Sequence, residues 1–135
     1  MKPNDRSINM GLLGLGVVGS GIGRVMTEKS AQIAQQVGCP VNVRHILVKH
    51  LDKDRESYVP LRLLTADPRD VLEDPEVHVI VEVMGGERPA LDYISQALVK
   101  GKSVVTANKE VMAKHGHELS ALAAEHGAQI SFEAS

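Results

Sequence analysis

The sequence predicts a doubly wound α/β fold, a mostly parallel sheet with helices on both faces, and three observations predict it. Short apolar runs alternate with amphipathic segments along the whole chain. The core must be aliphatic: Tyr58, Tyr93 and Phe132 are the only aromatic residues, so Val, Ile, Leu and Ala fill the interior, as suits a sheet buried on both faces. Third, a glycine turn, "GLGVVG" from Gly14 to Gly19, stands between the first apolar run and the first helical pattern. With 135 residues, 43% of them hydrophobic and 24% charged, the chain is one ordinary globular domain with a sizeable core.

Each element follows from its own pattern. Ile8 to Leu13 reads as the first buried strand. Ile22, Val25, Met26, Ile33 and Val37 give the next segment an imperfect helical stripe, which Gly38-Cys39-Pro40 ends. Val41 to Val48, rich in β-branched residues, is a second strand, and the polar stretch Leu51 to Leu61 is a connecting loop. Arg62 to Thr65 is a short third strand. Asp67 and Pro68 are an N-cap and a first helical position, opening a brief helix that stops near Asp74-Pro75. "VHVIVEVM", Val77 to Met84, is the clearest buried strand, broken by Gly85-Gly86. Pro89 starts a helix with Leu91, Ile94, Ala97 and Leu98 on one face, and Gly101 stops it. Ser103 to Thr106 is a fifth strand, Leu119 to Glu125 lies in another helix, and Gln129 to Glu133 is a sixth strand.

Six such strands with short crossovers take the order 3-2-1-4-5-6. Strands one and four are then neighbours, and the reversal between them opens a crevice at their carboxyl ends. The loops lining it are Gly14 to Gly19 and Met84 to Gly86, and a ligand belongs there.

Composition narrows the ligand. A net charge of −2 with scattered basic residues and no aromatic interleaving gives no reason to expect nucleic acid or an anionic membrane as a partner. No apolar run approaches the ~20 residues of a membrane span, and no signal-peptide layout follows Met1, so a cytoplasmic location is expected. Cys39 is the single cysteine and reads as a buried thiol rather than a reactive one. His115, His117 and His126 have no tetrahedral spacing with it, so they read as surface helix histidines and no metal is expected.

Gly14, Gly16 and Gly19 spell G-x-G-x-x-G between a strand and a helix. In a dinucleotide site the first glycine allows the tight turn, the second admits the pyrophosphate, and the third brings helix and strand together. The helix N-terminus then offers unpaired N–H groups to the phosphates. A glycine turn that only packs is the alternative, and Gly21 and Gly23 fit that role better. No Gly-Lys-Ser/Thr follows, which disfavours a phosphate-hydrolysing loop. At the tip of the second strand, "VKHLDKDR", stand Lys49 and His50 rather than an acid. Lys49 either favours the 2′-phosphate of NADP over NAD or is a solvated strand end.

Glu82 stands inside an apolar strand, where an unpaired carboxylate would be expensive. It either lies at the open end of the strand or has a partner. "TANKE" supplies a cation in Lys109, and the two either face one crevice or pair separately. Lys109 could orient a carbonyl oxygen there, or be an exposed helix-start lysine.

Taken together, "GLLGLGVVGSGI", "LTADPRDVLEDPEVHVIVEVMGGERPA", "GKSVVTANKEVMAKHG" and the terminal "FEAS" resemble the N-terminal nucleotide-binding (Rossmann) domain of homoserine dehydrogenases, in that family's order and over most of the chain. The family interconverts aspartate 4-semialdehyde and homoserine with NADH or NADPH, in the biosynthesis of threonine and methionine. The resemblance implies that Gly14, Leu15, Gly16, Val17, Val18 and Gly19 cradle the pyrophosphate and that Met84 and Gly85 line the cofactor. Thr106, Asn108 and Lys109 would sit at the nicotinamide end, Lys109 near the substrate. His50 stands where family members often carry an acid, which leaves the choice between NAD and NADP open.

In the family, "FEAS" leads into a substrate and dimerisation domain that carries the principal catalytic lysine and aspartate. The resemblance therefore implies that residues 1–135 are a cofactor domain that binds NAD(P) weakly and catalyses nothing alone, from a parent that forms a homodimer through the other domain. Two other readings use the same features. A sugar-oxidoreductase or aspartate-dehydrogenase relative would place its lysine in a Glu-Lys-Pro setting, which "ANKE" does not match. A stand-alone NAD(P)-sensing module would close its last strand with a helix.

Overall fold

The computed structural model describes residues 7–14, 35, 38–51 and 61–133. Among them six strands form one sheet: β1 (Ile8–Leu13), β2 (Val41–Leu47), β3 (Leu64–Thr65), β4 (Val79–Glu82), β5 (Ser103–Thr106) and β6 (Ile130–Phe132). All pairings are parallel and the order is 3-2-1-4-5-6, as the sequence predicts. Three helices are described, α1 (Pro68–Leu72), α2 (Ala90–Val99) and α3 (Lys109–Glu125). The glycine turn beyond Gly14, the helix expected over Ile22 to Val37 apart from helical Gln35, and most of the loop expected over Leu51 to Leu61 lie outside the described residues.

Where the elements differ from expectation, the cause is local. The third strand shrinks to Leu64–Thr65 because Leu61–Leu63 is a 3-10 turn with Leu61 and Arg62 exposed. β4 begins at Val79, since the Val77 N–H is spent on the Asp74 carbonyl in the preceding turn. α3 starts at Lys109, well before Leu119. The Asn108 side chain accepts the Val111 N–H as an N-cap, while only Val111, Leu119 and Ala123 are buried along the helix, too sparse a stripe to read from periodicity. Cys39 is half-buried rather than buried, because it sits between exposed Gly38 and Pro40 where the chain enters β2. The expected caps of α1 and α2 are present: Asp67 accepts the Arg69 N–H, and Gly101 follows α2 with φ +80°.

The sheet separates two apolar layers. Leu13, Leu47 and Ile80 face one side with Val71 and Leu72 of α1, Ile94 and Leu98 of α2, and Val111 and Leu119 of α3. Met10, Leu12, Ile46 and Val81 face the other. Each fully buried Leu, Ile or Val contributes about 1.5–3 kcal/mol against exposure. Gly11 marks the tightest approach: a Cβ there would lie 2.4 Å from Cγ1 of Val71, so β1 and α1 pack at a distance only glycine allows.

The amino edge of the sheet is fastened by one carboxylate. Asp74 Oδ2 accepts from Arg44 Nε at 2.6 Å and lies 2.8 Å from His45 Nε2, while Oδ1 accepts the Glu76 N–H at 2.8 Å. Buried Lys102 donates to the carbonyls of Asp74 (2.6 Å) and Val77 (2.7 Å), closing the same turn. Burial lowers the Lys102 pKa against the raising effect of Asp74. Burial also pushes the Asp74 carboxyl up, but the bonds from Arg44, the Glu76 N–H and His45 outweigh it and hold the group well below the usual carboxylate range. A depressed carboxyl stabilises the fold fully above its unfolded value of about 3.9, and that contribution is lost as the pH falls through the folded value. Urea midpoints are therefore expected to drop as the wild type is taken from neutral pH to about pH 3. Asp74→Asn should start lower at neutral pH and fall less steeply; parallel pH profiles would show that Asp74 is not the group responsible.

Candidate functional site at the carboxyl edge of the sheet

Strand register lines up one row of residues across the carboxyl edge. Thr65, Leu47, Leu13, Glu82, Thr106 and Phe132 are successive partners from β3 to β6. The ladder then runs one residue further. The N–H groups of Gly14, Val83, Ala107 and Glu133 donate to the carbonyls of Leu47, Leu13, Glu82 and Thr106 respectively. The loops leaving β1, β4 and β5 are thus held in step with the strands before they diverge.

Glu82 is fully buried in the middle of this row. Its Oε2 accepts the N–H groups of Met84 (2.9 Å) and Gly85 (3.2 Å) and Nδ2 of Asn108 (3.4 Å), and its Oε1 accepts the Thr106 hydroxyl (2.5 Å). An unpartnered carboxylate here would cost on the order of several kcal/mol; donors on both oxygens offset that. The partner offered by the sequence, Lys109, is not among them. Lys109 is exposed in the first turn of α3, because Asn108 takes the inward position as N-cap.

Asn108 joins the loop after β5 to the loop after β4. It is 4% exposed, its N–H donates to Thr106 Oγ1 at 3.0 Å, its Oδ1 caps Val111 at 3.1 Å, and its Nδ2 donates to the Gly86 carbonyl at 2.6 Å. A second tie runs from the β4 loop to α3. Glu87 Oε2 lies 2.7 Å from His115 Nε2, and Lys114 is 3.5 Å from Glu87 Oε1. The hydrogen bond to His115, then the charge of Lys114, hold the Glu87 carboxyl below its ordinary range.

Gly14 closes the site on the β1 side. Its φ is +90°, and a Cβ would lie 2.9 Å from Cγ and 3.2 Å from Cα of Met84. Both the turn and the adjacent backbone require glycine there. Gly14, Met84, Gly85, Thr106 and Asn108 are therefore brought together, with Thr106 and Asn108 turned inward onto Glu82. Lys49 and His50 are exposed beyond β2. Leu15, Gly16, Val17, Val18 and Gly19 lie outside the described residues. Sequence reasoning missed the Gly86 carbonyl as an anchor and Asn108 as the bridge. An asparagine just before a helix was the signal for the second. Among the described residues no group of three or more His, Cys, Asp or Glu side chains is placed to hold a metal ion.

A parallel sheet in the order 3-2-1-4-5-6, with Gly14 at positive φ directly after β1 and the sequence G-x-G-x-x-G running on from it, is the arrangement of a dinucleotide-binding domain. The model of the homoserine dehydrogenase NAD-binding domain matches residues 14–133, and the chain belongs to that family. It is 47% identical to the homoserine dehydrogenase of Bacillus subtilis over 130 residues, which is 96% of this chain and 30% of that one. Against the enzyme of Corynebacterium glutamicum the identity is 40%, over 98% of this chain and 30% of that one. The chain thus spans about 30% of the length of the curated relatives it matches. The crystal structure of S. aureus homoserine dehydrogenase superposes with a TM-score of 0.81 at 39% identity, covering 95% of this chain and 32% of that one. A hyperthermophilic archaeal homoserine dehydrogenase in complex with NADPH gives 0.69 at 26% identity, covering 95% of this chain and 44% of that one.

Asp and Asn are near-equivalent N-caps on an ordinary helix. Here Asn108→Asp would set a second carboxylate beside Glu82 and turn an oxygen toward the Gly86 carbonyl. Chemical denaturation is expected to show a loss of about 2 kcal/mol or more for Asn108→Asp. A neutral exchange would show that the Nδ2 bonds contribute nothing.

Proposed function

We propose that the chain binds a nicotinamide dinucleotide, NAD or NADP, across the carboxyl ends of β1, β4 and β5. It would serve there as the cofactor domain of an enzyme interconverting aspartate 4-semialdehyde and homoserine. The observation that carries this is the convergence of Gly14, Met84–Gly86 and Asn108 on one buried network, within a segment of matching family sequence. Gly14, at φ +90° and against Met84, makes the tight turn expected of the first glycine in a dinucleotide motif.

In this reading Gly14 to Gly19 hold the pyrophosphate, and Met84 and Gly85 line the cofactor. Thr106 and Asn108 shape the nicotinamide end, and exposed Lys109 reaches toward the substrate carbonyl and steadies its oxygen. The dinucleotide supplies the hydride; the residues named here bind, orient and exclude water. The archaeal relative solved with NADPH supports NADP as one cofactor, and in this reading exposed Lys49, just beyond β2, would meet its 2′-phosphate. The substrate and the homodimer contact belong, in this account, to the rest of the parent enzyme, with residues 1–135 acting as one cofactor domain. Among the described residues no helix is long and apolar enough to cross a membrane.

Titration of the 135-residue chain with NADH and with NADPH, followed by nicotinamide fluorescence against a tryptophan-free background, is expected to show weak saturable binding, and no turnover of homoserine. Absence of saturable binding by either would remove the cofactor reading. Turnover would remove the division of catalysis between two domains.

A further inference from the structure

We propose that Glu82 is the positioning residue of this site. Its carboxylate consumes the Met84 and Gly85 N–H donors of the Met84–Gly86 loop and so sets what that loop can offer a ligand; the proposal rests on the dinucleotide reading above. Three consecutive N–H groups are spent inside the protein: Val83 on the Leu13 carbonyl, and Met84 and Gly85 on Glu82 Oε2. The Gly86 carbonyl is held by Asn108 Nδ2. No described residue donates to the carbonyls of Val83, Met84 or Gly85. The loop therefore presents the carbonyls of Val83, Met84 and Gly85 together with a single uncommitted donor, the Gly86 N–H. A run of N–H groups turned outward would cradle a phosphate; one N–H among three carbonyls instead suits a ligand group that mainly donates and can also accept, a ribose hydroxyl or a carboxamide. The phosphates are left to the stretch that begins at Gly14.

The two ends of the loop have other ties, Met84 to the apolar core and Glu87 to His115, but its glycines do not. Gly85 and Gly86 both have positive φ, +77° and +74°, and nothing lies within 4 Å of where a Cβ would stand on either. Packing does not fix them, so the bonds from Glu82 and Asn108 must. The sheet below does not share that dependence: Ile80, Val81 and Val104 are buried among aliphatic neighbours in the two apolar layers. Removing Glu82 should free the loop before it loosens the strands. What matters is the reach of an acceptor to the Met84 and Gly85 N–H groups, more than its charge.

The test combines NADH and NADPH dissociation constants with hydrogen exchange at individual amides, in the whole chain and three variants. Glu82→Ala is expected to weaken binding about tenfold or more and to speed exchange at Met84 and Gly85, while Ile80, Val81 and Val104 stay protected. Glu82→Gln, which keeps the reach, should stay within about threefold of wild type. Glu82→Asp, which keeps the charge but is one methylene shorter, should bind more weakly than Glu82→Gln. Unchanged affinity in Glu82→Ala with its loop amides freed would overturn the proposal. Loss of protection in loop and strands together would also overturn it, by making Glu82 merely structural. If Glu82→Ala does not fold, the order of Gln and Asp decides, and tighter binding by Asp contradicts the proposal. A wild-type chain that binds neither dinucleotide would overturn the underlying reading instead, and the proposal with it.

Discussion

The carboxyl edge of this sheet depends on the hydrogen bonds around one buried carboxylate. Glu82 ends β4 at the register position where β1 and β5 also end, so its two oxygens reach the loop of its own strand and the side chains of the next. A charge so deeply buried is tolerated only when its lone pairs are occupied, and the occupants here are the loops themselves. Satisfying the carboxylate and shaping the site are therefore one event. Gly14 completes the arrangement because its missing Cβ lets β1 turn directly against Met84.

The two edges of the sheet use carboxylates differently. At the amino edge Asp74 is reached by Arg44 and His45, cations or potential cations that lie partly in solvent, and the result is a fastening of turn to strand. At the carboxyl edge Glu82 meets neutral donors only, Thr106, Asn108 and two peptide N–H groups. Neutral donors leave the exposed cation Lys109 uncommitted to Glu82, and free for a ligand in the function proposed. A Glu82–Lys109 ion pair would have drawn the one cation of this loop inward.

Much of this was legible in the sequence, and the failures have physical reasons. Apolar runs such as "VHVIV" marked buried strands because a parallel sheet covered on both faces needs no polar alternation. Strand order followed from connection rules alone. α3 was recognised only from Leu119 onward because its first turns are polar and its start is fixed by a cap. Glu82 was recognisable as an anomaly, and of the two alternatives left open for it the structure takes separate pairing; the donors it found were not named, since a sequence displays charges more plainly than it displays backbone donors. The contact between Gly14 and Met84, distant in sequence, could be placed only by topology. The family resemblance carried by "VEVMGG" and "TANKE" pointed to Met84, Gly85, Thr106 and Asn108, which the structure gathers at one edge of the sheet with Thr106 and Asn108 spent inward on Glu82.

The central claim is that the loops after β1, β4 and β5 form one site held by Glu82. It is tested most directly by mapping backbone amide chemical shifts of the chain during titration with NADPH. The account predicts that Gly14, Met84 to Gly86 and Asn108 to Lys109 shift together along a single binding curve. Shifts confined to another edge of the sheet, or movement at Gly14 without change at Met84 to Gly86, would contradict it.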